Sequence, residues 1–324
     1  MRWKGASRLR LISESDASPR AQKIFVEVRE RLGLPVVPLL YQAYAVFPDF
    51  LELHWQSFRP LLESRQFFAL GARLAAECYT RAHNYFAVES LAGSEVESAG
   101  DVKLPLSQVL DYYQNIDPLL LLITAAQMQA FEGAAGESSE SADSARHATF
   151  PVAPRLLSHD EATPAVHRIW EERRRILELA FVSDEHRALA CWPGFYQQYW
   201  KALKTLLQSP LYADCQYRIG ESALRLAHEL PIPIDTAIPQ LLDAALDNDQ
   251  VYSLVRVNEA FMQAQTGLLL DITFARIGWE GGNGKVLAAE SEAPSGKAIP
   301  PEKPITSETP VQAVKQAGTP TRAA

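Results

Sequence analysis

Ala45-Val46-Phe47-Pro48-Asp49-Phe50 returns 145 residues later as Ala190-Cys191-Trp192-Pro193-Gly194-Phe195. Outward from this pair, residues 17–83 align without a gap on residues 162–228. About 19 of those 67 positions are identical, where chance gives about 4. Trp55 stands over Trp200, Leu61-Leu62 over Leu206-Leu207, Ser64 over Ser209, and Ala82-His83 over Ala227-His228. The chain carries a duplicated unit. Two copies of one fold are free to diverge, so a position that keeps a charge in one copy and a hydrophobe in the other marks a candidate site.

Each copy reads as helices. Ser18-Pro19 and Thr163-Pro164 are helix starts, a capping hydroxyl followed by a proline at the first helical position. Behind Pro164, Val166, Ile169, Trp170, Arg173 and Leu177 follow the three-and-four spacing of one helical stripe. Pro48 and Pro193 open further helices, and residues 65–85 and 210–229 are rich in the strong helix formers Ala, Leu, Arg and Glu. Strand signals are almost absent. The expected fold is all-α, two tandem repeats of about five to six helices each.

Downstream of the strict repeat, each half continues into an apolar helix. The pairs Ile123-Thr124 and Ile272-Thr273 sit 149 residues apart, a small change of spacing. Residues 132–149 are small and polar and predict a flexible linker, and from about Gly281 the composition shifts to Gly, Pro, Ala, Lys and Glu, which cannot bury enough apolar surface to order itself. The expected organisation is an N-terminal tail (1–14), a first repeat (15–131), a linker (132–160), a second repeat (161–280) and a disordered tail (281–324).

Composition narrows the function. A chain of 324 residues, 47% hydrophobic and 22% charged, has ample material for a core. The net charge of −8 argues against nucleic acid, which calls for a concentrated basic face. Cys78, Cys191 and Cys215 have no paired spacing, so neither a disulfide framework nor a CxxC motif is expected. No apolar run approaches the length of a membrane span, and the N-terminus lacks a signal-peptide pattern. A soluble cytoplasmic protein is the simplest expectation. No Gly-rich phosphate loop, Gly-x-Ser-x-Gly or metal-ligand cluster appears, so neither a metal nor a cofactor is expected.

Comparison of the copies singles out one acid. Val37 matches Val182; next, Pro38 faces Ser183 and Leu39 faces Asp184. Ser183-Asp184 is read either as a cap for the following helix or as a sheltered carboxylate whose burial raises its basicity, as a general base requires. A second candidate is Tyr112-Tyr113-Gln114-Asn115-Ile116-Asp117-Pro118, where Asp117 before proline reads as a cap or as a water or substrate ligand at the mouth of a pocket. His83 and His228 share one repeat position, which favours a structural role. His54, His167 and His186 show no ligand spacing, although His186 lies near Asp184.

With these residues in place, the chain resembles the group I 2-haloacid dehalogenases, an all-helical family acting on D or on both enantiomers of 2-halocarboxylic acids. Three blocks carry the resemblance. The first is Leu34-Pro35-Val36-Val37 followed by Ala45-Val46-Phe47-Pro48. The second is Asp117-Pro118-Leu119 running into an apolar helix, similar to the family's Asn-Pro-Lys. The third is Ser183-Asp184-Glu185-His186-Arg187-Ala188-Leu189-Ala190-Cys191-Trp192-Pro193, similar to Ser-Asp-x-x-x-Ala-Leu-Ala-x-Trp-Pro.

The resemblance implies a pseudo-dimer of the two repeats packed around a central buried site, a small anionic organic substrate, a homodimer, and Asp184 as catalytic base. It implies direct attack of water on the α carbon with inversion, with Asp117 or the nearby Asn115 positioning the water. It also implies a pocket of Val36, Leu39, Val182, Ser183 and Leu269 for the alkyl and halide end. Asp117 replaces the family's asparagine, and two ionised acids side by side would share a proton. Other readings stay open at this point: a hydrolase of the same fold on another small acid, a helical peroxidase-like protein lacking its second thiol, or a non-catalytic helical scaffold.

Overall fold

The computed structural model describes residues 9–93, 98, 100–133, 153–177 and 181–284. Most of the expected linker, residues 134–152, and the tail from residue 285 onward lie outside the described residues. The helical periods become eleven α-helices, and no strand occurs among the described residues. In the first half they are α1 (Pro19–Leu32), α2 (Leu39–Tyr44), α3 (Pro48–Phe58), α4 (Arg65–Tyr85) and α5 (Leu106–Phe131), with a 3-10 turn at Arg59–Glu63. In the second half they are α6 (Pro164–Leu177), α7 (Asp184–Leu189), α8 (Pro193–Leu207), α9 (Pro210–Ala227), α10 (Ile238–Asp243) and α11 (Asn248–Trp279).

Both expected helix starts form. The Ser18 hydroxyl accepts from the Ala21 amide at 3.2 Å, and Thr163 accepts from Val166 at 3.3 Å. α1 stops at Gly33, whose φ of 62° is the left-handed conformation that glycine adopts without a Cβ penalty. The spacing of 145 residues survives in three dimensions. α1 packs on α3 as α6 packs on α8. Trp55 Nε1 donates to Glu27 at 2.9 Å, and Trp200 Nε1 donates to Glu172 at 2.8 Å, the same contact made twice.

The two copies do not fold side by side as separate domains. α4, α5, α9 and α11 are all in mutual contact, so each half supplies two helices to one four-helix centre. Ion pairs stitch the same seam, with Arg225 to Glu77 at 2.9 Å and Arg73 to Glu229 at 2.9 Å. The short helices cross over: α2 of the first half lies against α11 of the second, and α7 of the second half lies against α5 of the first. That exchange sets the site. It puts the residues at the start of α7 against residues in the middle of α5, across the seam.

One local expectation is corrected. The segment before Pro118 is not a cap: α5 begins at Leu106 and runs straight through Pro118, so Asp117 sits in mid-helix. A proline inside a helix removes one backbone hydrogen bond and costs about 3 kcal/mol. Here Tyr112, Tyr113, Ile116 and the whole run from Leu119 to Ala126 are buried, and that packing outweighs the break. The C-terminal boundary also falls later than expected. Asn283 accepts from the Val88 amide at 3.1 Å and donates to the Phe86 carbonyl at 2.6 Å, so residues 281–284 are pinned to the end of the first repeat.

Candidate active site

Asp184 opens α7, and its carboxylate is 23% exposed. Ser183, one residue earlier, has extended backbone (φ −70°, ψ 157°), but its hydroxyl makes no capping bond to the helix. The Ser183 hydroxyl therefore does not cap α7. Burial, and after it the charge of Glu185, pushes the Asp184 carboxyl up to about 7, while Arg187 at 3.6 Å pulls it down. A carboxylate with that affinity for protons is matched to base catalysis near neutral pH.

Asp117 reaches the same place from α5 and is 1% exposed. Its carboxyl stands well above the usual carboxylate range, through burial first and then through the charge of Glu185. Glu185 is also raised by burial, against the Ser183 hydroxyl, its own amide and the Arg173 charge, all of which lower it. Neither Asp117 oxygen receives an N–H or O–H bond from the protein, and Glu185 Oε2 receives none. Burial raises both carboxyls, and two raised acids side by side favour sharing one proton.

A protonated Asp117 would donate with one oxygen and keep the other as an open acceptor, which is the pattern an asparagine side chain presents. The like-charge push expected from Asp184 on Asp117 is present but comes after burial and Glu185. Nearby, the Tyr113 hydroxyl is buried with no partner. Buried polar atoms left open in one spot are what a water or substrate would satisfy.

Behind this group lies a network that the comparison of copies passed over. Arg173 of α6 and Asp271 of α11, each side chain 3% exposed, pair at 3.2 Å. Tyr212 donates to Asp271 Oδ1 at 2.7 Å, and Tyr199 donates to the Asp271 carbonyl at 2.9 Å. His186 Nδ1 lies 3.0 Å from the Tyr196 hydroxyl, and its Nε2 lies 3.7 Å from Asp271. Burial, then the Arg173 charge, lowers His186 to about 4, so it is neutral at pH 7. The signal was present in the sequence: Arg173 stands over Val28, Glu185 over Leu40 and, at the later spacing of 149, Asp271 over Leu122.

The other expected site residues divide. Ser183 lines a cleft of about 650 Å³, together with Arg173, Tyr212 and Asp271. Val36, Leu39 and Val182 are half-buried, and none of the three lines this cleft. Leu269 is fully buried and its carbonyl accepts from Thr273 at 2.6 Å, so it belongs to the core; its neighbours Gly267 and Leu268 line the cleft instead. Asn115 is exposed, with its amide donating to the Asp111 carbonyl at 2.7 Å, and the structure does not bring it to Asp184. Residues 113, 116 and 117 take the buried face of α5, which leaves position 115 outside. Among the described residues no group of three or more His, Cys, Asp or Glu is arranged to hold a metal ion, and no helix is long and apolar enough to cross a membrane.

Residues 35–186, which hold both Asp117 and Asp184, match the family model described as halocarboxylic acid dehydrogenase DehI. An (R)-2-haloacid dehalogenase of Pseudomonas putida is 23% identical over 277 residues, covering 82% of this chain and 91% of that protein. Over most of its length the chain is therefore similar to 2-haloacid dehalogenases. A second (R)-2-haloacid dehalogenase, from Rhizobium sp. (strain NHG3), is 21% identical over 233 residues, covering 69% and 89%. Among solved structures, a D-2-haloacid dehalogenase in complex with L-LA superposes with a TM-score of 0.73 at 21% identity, covering 84% of this chain and 96% of that one. The DehI-type fold is thus an all-helical one, as the periodicity of the sequence predicts.

Proposed function

We propose that this protein hydrolyses 2-halocarboxylic acids to 2-hydroxy acids, with Asp184 as general base. Water hydrogen-bonded to the open Asp117 oxygen gives its proton to Asp184 as its oxygen attacks the α carbon. The C–O bond forms while the carbon–halogen bond breaks, and the halide leaves with the bonding pair on the opposite face. The centre inverts. The D enantiomer is the preferred substrate, in keeping with the names of the relatives. The observation that carries this reading is the meeting at the seam of two acids from different halves, the half-buried Asp184 on α7 and the buried Asp117 on α5.

A single turnover in H₂¹⁸O tests the route. Direct water attack places the heavy oxygen in the first molecule of 2-hydroxy acid; attack by the Asp184 carboxylate would deliver ordinary oxygen first and leave an ester on the enzyme. The base must be ionised to act, so kcat/KM is expected to rise with pH through about 7 and to level above it. A profile that falls across that range would remove Asp184 as the base.

Asp117→Asn preserves an open acceptor and supplies an N–H toward Glu185. Its kcat is expected to stay within about threefold of the parent, whereas Asp117→Leu, without the acceptor, is expected to lose about a hundredfold. Equal rates for the two variants would place the attacking water elsewhere.

The architecture is read as a pseudo-dimer that arose by duplication, with the linker (132–160) tying the halves. A cytoplasmic homodimer completes the proposal; light scattering at twice the chain mass of 36.0 kDa tests the assembly.

A further inference from the structure

The cleft bounded by α6, α8, α9 and α11 encloses about 650 Å³. Clefts of roughly 300–1,000 Å³ accommodate drug-sized ligands, far larger than a three-carbon acid. Much of the wall is hydrocarbon, supplied by Ile176, Phe181, Leu207 and Leu268. Set into it are Ser183, one residue from the proposed base, and the Arg173–Asp271 pair.

Arg173 is unusual among these. It is 2% exposed, its Nη2 bonds Asp271 at 3.2 Å, and both Nε and Nη1 are buried with no partner. A buried cation with unmet N–H groups is costly to maintain. A ligand carboxylate meets that need. The electrostatics ask for the same thing, because an anionic substrate approaching Asp184 and Glu185 is repelled unless a cation stands beside them. Arg173 is near enough for its charge to act on Glu185. Arg175, exposed on the lining of the cleft, adds a second positive charge.

We propose that Arg173 receives the substrate carboxylate and that the apolar cleft holds a long side chain, so the preferred substrates are 2-halocarboxylic acids bearing an alkyl or aryl chain of about six or more carbons. The substrate class rests on the dehalogenase reading; binding of a long-chain carboxylate at Arg173 does not.

The test has a kinetic and a binding arm. Each buried methylene strengthens binding by roughly fourfold, so KM for 2-bromooctanoate is expected to lie at least about tenfold below that for 2-bromopropionate. Calorimetry with octanoate, which has no halogen, is expected to give saturable binding. Arg173→Gln combined with Asp271→Asn keeps the buried network neutral, and should weaken octanoate by about tenfold to a hundredfold. Ala264→Phe, on the cleft lining, should bring the two KM values within about threefold of each other.

Octanoate binding that is lost in the double variant supports the site even if no halide is released, an outcome that would defeat the dehalogenase reading alone. Halide release from 2-bromopropionate without octanoate binding, or with 2-bromooctanoate rejected, overturns the inference and leaves the reaction standing. Octanoate bound equally by wild type and double variant overturns the role of Arg173.

Discussion

Asp184→Asn is expected to lower kcat/KM for a 2-haloacid by about 10²–10⁴, because the amide accepts no proton while the geometry around it is kept. The same change should stabilise the protein. A carboxyl raised to about 7 binds protons more readily folded than unfolded, where its value is near 4. Between those values the folded state holds more protons, so the wild-type contribution falls as pH rises. The variant escapes this loss. Its stability advantage should be near zero at pH 4, grow through pH 7, and reach roughly 4 kcal/mol above pH 8. Urea unfolding of both proteins across this range measures it. An inactive variant with no pH-dependent gain would mean that Asp184 is not strained by burial, and its fitness as a base would need another cause.

The second large effect concerns the Arg173–Asp271 pair. Asp271→Leu, the residue its twin position already carries at Leu122, leaves the Arg173 guanidinium buried without its counter-charge. A loss of about 3–5 kcal/mol is expected. Adding Arg173→Val, the twin residue at Val28, removes the orphaned charge and should recover half or more of the loss, even though Tyr212 gives up its bond to Asp271. A double variant as unstable as the single one would show that lost packing, and not the unpaired charge, sets the cost. If the double variant folds as well as the parent yet has lost substrate binding, the pair is kept for function at no gain in stability.

Asp184 stood out because the chain supplies its own control: Leu39, at the twin position, records that the fold accepts an aliphatic side chain there. The same comparison holds the signals for Glu185 over Leu40, Arg173 over Val28 and Asp271 over Leu122. These were less visible because a charge beside other charges, as in Glu171-Glu172-Arg173-Arg174-Arg175, reads as a solvated helix face. Arg173 is the one residue of that cluster whose helical phase turns it inward. Asn115 misled for the opposite reason. An amide near Asp117 in sequence suits a water ligand, but two residues along a helix is a rotation of about 200°, which carries it to the outer face.

By itself the sequence determined an all-helical chain in two matched halves, because helical period, proline starts and the duplication are local properties written in order along the chain. It also determined which acid lacks a counterpart. The tertiary structure decided that α7 of one half lies on α5 of the other, so that Asp184 and Glu185 meet Asp117 across the seam. That contact raises the Asp117 carboxyl, whereas Asp184 is raised by burial and by its own neighbour Glu185. Proton affinity depends on burial and on neighbouring charge, and burial comes from residues far apart in sequence.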